Sequence, residues 1–241
     1  MDEWKFMNGF VIKAFITIGN FLCQLGFPSY CIWRIIHRLI KRVILAQIRA
    51  YRDIDGWLSD DEASGLYLLS NLLDQHCKVL EIGSWKGKAT YCLAQGLPKG
   101  GTVIALDPFD ASGEPESSAL YRERGGDIPL FEQFVHNMTK LGVMKKIKAI
   151  KGYSHQFVNK FIEIDLLFID GDHSIEGCDF DFLNYSPLIS HRGYLVFHDF
   201  DSSRKDLGPT WVVENRVLPS ADFVFWGCFN SLWIAQKAHV L

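Results

Sequence analysis

The run FIDGDHS places Asp170, Asp172 and His173 within four residues of one another. Three ionisable groups closing a strongly apolar run are hard to explain as packing. His173 is the side chain suited to take up a proton near neutral pH, and neighbouring carboxylates raise its basicity. A second group follows YLVF, where His198 and Asp199 are consecutive and Asp201 stands two residues on. If Asp170 and Asp199 end adjacent strands, they form a pair of hard oxygen donors. Such a pair suits a divalent cation that keeps part of its water shell, or serves only to accept hydrogen bonds.

A different chemistry is written in VLEIGSWKGKAT, Val79 to Thr90. Gly83 and Gly87 let the backbone turn tightly and let a ligand approach it, and Gly87 opens a helical pattern. The spacing is E-x-G-x-x-x-G, whereas a dinucleotide fingerprint has three glycines in G-x-G-x-x-G. Ser84 and Trp85 stand where that fingerprint has glycine, which disfavours a nicotinamide dinucleotide. Asp107 lies twenty-four residues beyond Gly83. An acid there can accept both hydroxyls of a ribose.

These residues need strands to bring their ends together. From Lys78 onward, short β-rich runs alternate with helical ones, the pattern of a parallel sheet covered by helices on both faces. Strands are expected at 78–82, 102–106, 147–151, 165–169 and 193–197. Runs 222–226 and 231–236 are close enough to form an antiparallel hairpin. Helices are expected at 60–75, 87–97, 128–142, 154–162, 174–189 and 209–217, with Ser59 and Glu62 making a capping box for the first. The polar segment 108–127 reads as a lid or binding loop, or as a surface insertion. Ligands of open α/β sheets bind beyond the carboxyl ends of the strands, where each candidate residue falls.

The 241 residues are 48% hydrophobic and 22% charged, a globular composition, and the net charge of −3 gives no reason to expect nucleic acid. Residues 1–50 nevertheless carry seven Lys/Arg against two acids, which leaves +5 there and −8 in the remainder. The twenty uncharged residues between Lys13 and Arg34 contain Pro28, two glycines and several polar groups, a poor membrane span. Ile32, Ile35, Ile36, Leu39, Ile40, Val43 and Ile44 then recur at helical spacing between basic residues, an amphipathic helix. Three readings remain open for it: packing on the domain or on a second subunit in a homo-oligomer, peripheral contact of residues 10–50 with a membrane surface, or a span. Six scattered cysteines form no metal-binding pattern and read as reduced, which favours a cytoplasmic setting.

Taken together, VLEIGSWKGKAT, Asp107, FIDGDHSIEGCDFDFLNYSPLI and YLVFHDF resemble the class I S-adenosylmethionine-dependent methyltransferases. Within them, the branch with macrolide-sugar O-methyltransferases and cephalosporin hydroxylase-like proteins is the most similar. The resemblance begins at IDGWLSDDEASGLYLL and covers about residues 54–237. It implies a 54–241 methyltransferase domain preceded by a 1–53 hydrophobic and basic helical extension. The implied fold is a doubly wound α/β sheet of seven strands, order 3-2-1-4-5-7-6, with strand 7 antiparallel.

By the same resemblance, Glu81 and Gly83 lie beside the methionine part of S-adenosylmethionine, Asp107 beside its ribose, and Tyr153 and Ser154 beside its adenine. Ser84, Gly87, Asp170 and Asp172 complete the expected cofactor-binding set. Asp170 matches the first metal ligand and His173 the general base. Metal-dependent relatives carry two consecutive ligand residues after strand 5, the first acidic, whereas here His198 precedes Asp199. A metal site of Asp170, His198 and Asp199 would therefore favour an ion softer than Mg²⁺. The expected reaction is methyl transfer to a hydroxyl of a small molecule, a sugar or glycosylated metabolite. The rival readings are a nicotinamide-dependent oxidoreductase and a catalytically inactive, membrane-associated binding domain.

Overall fold

A computed structural model describes residues 2–112 and 115–238, with side chains for 9–112 and 119–238. Seven strands form one sheet: β1 (Lys78–Ile82), β2 (Thr102–Asp107), β3 (Ile147–Lys151), β4 (Ile164–Ile169), β5 (Ile189–Phe197), β6 (Phe223–Phe229) and β7 (Leu232–Lys237). Their order is β3-β2-β1-β4-β5-β7-β6. The first five pair in parallel, and β7 runs antiparallel to both β5 and β6. This is the sheet order, with its antiparallel seventh strand, that the resemblance implies.

Side-chain alternation along the strands divides the core in two. Val79, Val103, Leu166, Phe168 and Val196 face one way, and Leu80, Ile104, Leu167, Ile169 and Leu195 the other. Both faces are covered, as expected of strands that read as continuous apolar runs. The second face carries α7 (Ile175–Tyr185) and the short α8 (Gly208–Val212). The first carries α3 (Asp60–Leu72), α4 (Lys88–Gly96) and α6 (Leu130–Lys140), and beyond them α1 (Asp2–Gln24) and α2 (Ser29–Gln47). α2 turns Ile32, Ile36, Ile40 and Ile44 inward, and its Trp33 stacks on Trp226 of β6 at 5.7 Å between ring centres. Its His37 sits 2.8 Å from Ser64 Oγ of α3.

Several expected boundaries differ, each for a local reason. The helix expected at 154–162 is only a single 3₁₀ turn, Ser154–Gln156. Asn159 soon follows at φ 66°, a left-handed conformation no helix can pass through. The helix expected to reach 189 ends at Tyr185, because Pro187 removes a backbone donor, and β5 starts at Ile189, four residues early. β6 runs three residues further than expected and β7 is shifted by one, so only Asn230, at φ 57°, and Ser231 join them. The polar 108–127 segment contains a helix, α5 (Pro115–Gly125), with proline at its start. No helix among the described residues is long and apolar enough to cross a membrane; the uncharged stretch is broken at Leu25–Pro28, between α1 and α2.

Candidate active site

The carboxyl ends of β1, β2, β4 and β5 open into one cavity of about 1310 Å³, lined by residues from all four. The turn after β1 is built by steric necessity. Gly83 has φ 88°, and a Cβ there would lie 2.0 Å from the carbonyl oxygen of Asp170. Glycine thus lets the ends of β1 and β4 close on one another. Gly87, at φ 90°, meets Met138 and Phe134 in the same way and starts α4.

Glu81 is fully buried on the first face of the sheet. Its Oε2 accepts hydrogen bonds from Ser84 Oγ (2.8 Å) and Thr90 Oγ1 (2.5 Å), while Oε1 has no hydrogen-bond partner among the described residues. Burial raises its pKa to about 8, despite those two donors. Asp107 does more than its position at the end of β2 suggests. Its Oδ2 accepts from the backbone N–H of Ser84 (2.7 Å) and Trp85 (2.8 Å), and Oδ1 from that of Phe109 (2.5 Å). The carboxylate ties the glycine turn to β2 while still lining the cavity. Burial raises its pKa too, and the three amides pull it part of the way back.

At the far end of the cavity, Tyr153 Oη donates to Asp110 Oδ2 (2.6 Å), and the Ser154 carbonyl accepts from Tyr185 Oη (2.6 Å). Asp172 accepts from Ser174 N (2.8 Å) at the start of α7 and packs against Gly177, where a Cβ would meet its Cγ at 2.4 Å. Both functions of Asp172, holding the helix start and facing the cavity, are open to it in this position.

The ends of β4 and β5 meet. His173 Nε2 lies 3.1 Å from Asp199 Oδ2 and 3.8 Å from Asp170 Oδ1. His198 Nδ1 lies 3.0 Å from Asp170 Oδ1 and 2.9 Å from Asp199 Oδ2. Asp199 itself is at φ 56°, an unusual conformation for a non-glycine residue, which turns the chain back at the end of β5. One ligand atom each from Asp170, His173 and Asp199 falls within 4.8 Å of the others, a grouping able to hold a metal ion. Sequence reasoning paired these carboxylates with His198; the structure brings both imidazoles to them.

Behind His198 stands a residue the sequence assigned only to a helix cap. Glu62 of α3 does complete the capping box: its backbone N–H meets Ser59 Oγ, and its Oε2 accepts from Ser59 N (2.6 Å). The same oxygen is 3.7 Å from His198 Nε2, an ion-pair distance longer than a hydrogen bond. Its Oε1 accepts from Asn230 Nδ2, Ser231 N and Ser231 Oγ, fixing the β6–β7 turn against the site. Burial would raise the Glu62 pKa, but His198, Ser231 and Ser59 reverse the shift and hold it well below the usual range. Burial would likewise neutralise His198, and the carboxylates of Asp170, Asp199 and Glu62 instead raise its pKa well above the usual value. Asp199 is held down by His173 and His198 against the effect of burial.

An aromatic wall also went unread in the sequence. Trp57, Trp85 and Tyr121 pack with ring centres 5.4 to 5.8 Å apart along the cavity. Arg124 of α5 covers Trp57 and pairs with Asp55, which Lys86 of the glycine turn also reaches at 3.1 Å. The polar segment is thereby fastened across the cavity mouth. Three separate stretches of chain contribute to this corner, and only the glycine turn among them carries a motif.

Comparison with known proteins agrees with this architecture. Residues 80–200 match the family model described as Methyltransferase domain. An uncharacterized protein of Sinorhizobium fredii is 22% identical over 212 residues, covering 84% of this chain and 22% of its own length. An uncharacterized protein of Acanthamoeba polyphaga mimivirus is 26% identical over 146 residues, 57% of this chain and 60% of its own. The chain thus spans about a fifth and three-fifths of these relatives. Among solved structures, the O-methyltransferase TomG of Streptomyces achromogenes, in complex with S-adenosylmethionine, superposes with a TM-score of 0.56 at 15% identity, over 81% of this chain and 89% of that one. A putative O-methyltransferase of Klebsiella pneumoniae gives 0.57 at 14% identity, over 92% and 97%. At these identities the likeness is one of fold.

Proposed function

The chain belongs to the methyltransferase-domain family, and we propose that it moves the methyl group of S-adenosylmethionine to a hydroxyl oxygen of a small molecule. The observation that carries this reading is the single cavity in which Gly83, Ser84 and Asp107 at the glycine turn and the Asp170–His173–Asp199 cluster face each other, with the buried Glu81 behind the turn. One end suits a nucleoside carrying a positive charge, the other a proton transfer.

The residues fit the cofactor. The Glu81 carboxyl is fully buried behind the turn with no hydrogen-bond partner for Oε1 among the described residues, and a cationic ligand nearby would draw its proton off and pair with the carboxylate. Asp107 keeps one unused lone pair, on Oδ1, for a ribose hydroxyl, since each carboxylate oxygen offers two and three are taken by backbone N–H groups. Tyr153 and Ser154 line the opposite end, where a flat base would lie. Ser84 and Asp172 line the walls between, and Gly87 starts α4 behind them. Bound S-adenosylmethionine supplies a methyl group activated by a sulfonium and leaves as a neutral thioether.

The acceptor hydroxyl is a weak nucleophile until it loses its proton. His173 takes that proton as the O–C bond forms and the C–S bond breaks, and the imidazolium so formed rests against Asp199 and Asp170. His198, charged by its three carboxylate neighbours, holds Asp170 and Asp199 in place, and Glu62 positions His198. Most of the rate comes from alignment of the two reactants in a closed site. Asp170, Asp199 and a histidine nitrogen also fit a divalent cation, with imidazole favouring Mn²⁺, Fe²⁺ or Zn²⁺ over Mg²⁺. Such an ion would supply positive charge to lower the pKa of the acceptor hydroxyl. The Trp57–Trp85–Tyr121 wall supports an acceptor with a flat or ring-shaped apolar face, which a sugar or glycosylated metabolite offers.

Calorimetry against S-adenosylhomocysteine and NAD, followed by mass spectrometry of hydroxylated acceptors with S-adenosylmethionine, tests the reading. Binding of the former and methylation at oxygen are expected. Binding of NAD alone would transfer the chain to the oxidoreductases, and binding without turnover on any acceptor would make it a cofactor-binding domain.

A further inference from the structure

The helical hairpin of α1 and α2 lies outside the transfer chemistry and presents an unusual outer surface. The two helices cross closely at Gly19, where a Cβ would lie 2.6 Å from Ile36 Cδ1. Their facing sides are therefore spent on each other and on the core: Ile12, Ile32, Ile36 and Ile40 are buried. The opposite side is not polar. Phe10, Ile18 and Phe21 recur at helical spacing on the outside of α1, and Leu25, Phe27 and Tyr30 continue the row around the turn, each between 48% and 69% exposed. Ile35 and Leu39 extend it along α2. Isolated exposed apolar residues are ordinary, but a row of large ones around one hairpin marks a contact surface.

The charge around this row identifies the contact. Between positions 4 and 52 the chain contains no Asp or Glu. Arg34, Arg38 and Arg42 follow one another at i, i+4 beside Ile35 and Leu39, all three exposed. None has an ion pair among the described residues, whereas Lys41, on the inner flank, pairs with Asp61. A two-fold pairing of hairpins would set this arginine row against its own copy, like charge on like. A surface at once apolar and basic, on helices too polar to span a bilayer, matches an anionic lipid interface, where the apolar row enters the acyl boundary and the arginines meet phosphate headgroups.

We propose that the outer face of the α1–α2 hairpin docks in the plane of an anionic phospholipid membrane. The proposal does not rest on the methyl-transfer reading. It is tested by sedimentation of the full chain with phosphatidylcholine vesicles, with and without phosphatidylglycerol. Binding to the anionic vesicles, weakened by salt, is expected. Each arginine near the surface is worth about fivefold in partitioning, so Arg34→Gln with Arg38→Gln and Arg42→Gln should lower it on the order of a hundredfold. Phe21→Ser with Leu25→Ser should abolish it. Both variants are read beside their thermal melts and S-adenosylhomocysteine affinity, which should match the parent. No binding to anionic vesicles overturns the proposal, as does binding that ignores the arginine substitutions. A concentration-dependent dimer in light scattering, dissolved by Phe21→Ser with Leu25→Ser and unaccompanied by vesicle binding, also overturns it and gives the face to a second copy.

Discussion

Glu81→Gln isolates the most heavily buried acid of the site. The substitution keeps the side chain's shape and an oxygen for Ser84 and Thr90 while removing the titratable proton. Burial raises the Glu81 pKa from its ordinary 4.5 to about 8. Between those values the unfolded chain has released the proton and the folded chain still holds it, so stability falls as pH rises through the window. The displacement corresponds to roughly 4 to 5 kcal/mol lost by the time pH exceeds the folded pKa, and none is lost below the ordinary value. Asp181, raised by burial to about 7, titrates in the same window but is common to both chains, so the difference between them belongs to Glu81. Urea denaturation at intervals from about pH 5 to about pH 8 gives the two stability curves. They should diverge progressively, with the parent falling more steeply. Parallel curves would refute the assignment of a neutral carboxyl to Glu81. A second consequence follows if the cofactor reading holds. A cationic ligand beside the carboxyl lowers its pKa, so S-adenosylmethionine binding near neutral pH should release up to one proton from the parent and fewer from the Glu81→Gln variant. Calorimetry in buffers of different ionisation enthalpy measures that release.

The other expectations concern the two ends of the cavity. His173→Gln should lower kcat by about 10²- to 10⁴-fold, as for loss of a general base, while S-adenosylhomocysteine affinity stays near the parent value; full turnover would remove His173 from that role. Chelation should lower turnover and Mn²⁺ should restore it better than Mg²⁺, whereas turnover indifferent to exhaustive chelation would leave the site as acid–base machinery alone. Where His198 supplies the imidazole ligand, a divalent ion must displace the proton that the carboxylates hold on it, so measured metal affinity should rise with pH, by up to about tenfold per unit below the His198 pKa; affinity flat with pH would give the ligand position to His173. Gly83→Ala forces a Cβ onto the Asp170 carbonyl and should destabilise the fold outright, read as a lowered thermal midpoint even without ligand.

What was legible in the sequence is what rests on local rules. Apolar runs bounded by glycine gave strand positions, because a doubly covered sheet needs strands apolar on both faces, and Glu81 or Asp107 then stood out at their ends. Helix limits were legible where a cap writes them, as at Ser59, were overrun at Pro187 although the proline stands in the sequence, and were illegible where the breaker is a conformation: nothing in HQFVNK announces that Asn159 turns left-handed. The same division applies to the site. His173 and Asp199 were visible because each follows a strand, but the distance between them depends on how β4 and β5 register, and His198 Nδ1 reaching both carboxylates depends on a backbone reversal at Asp199.

Glu62 shows why the remainder stayed hidden. Its place in the S-x-x-E pattern already explained it, and a residue with one adequate local role gives no sign of a second. The second role comes from sequence separations of more than a hundred residues: His198 beside one oxygen, Asn230 and Ser231 beside the other. Removing the carboxylate therefore has two separable effects. Glu62→Gln keeps an oxygen able to accept from the β6–β7 turn, but it sets an amide NH2 where Oε2 accepted from Ser59 N and withdraws the negative charge facing His198. If Glu62 acts on the site through His198, the Glu62→Gln variant should show a lowered His198 pKa by NMR and a changed pH profile of turnover beside a loss of stability of about 1 kcal/mol from the cap. A loss of stability with an unchanged profile would return Glu62 to the cap alone.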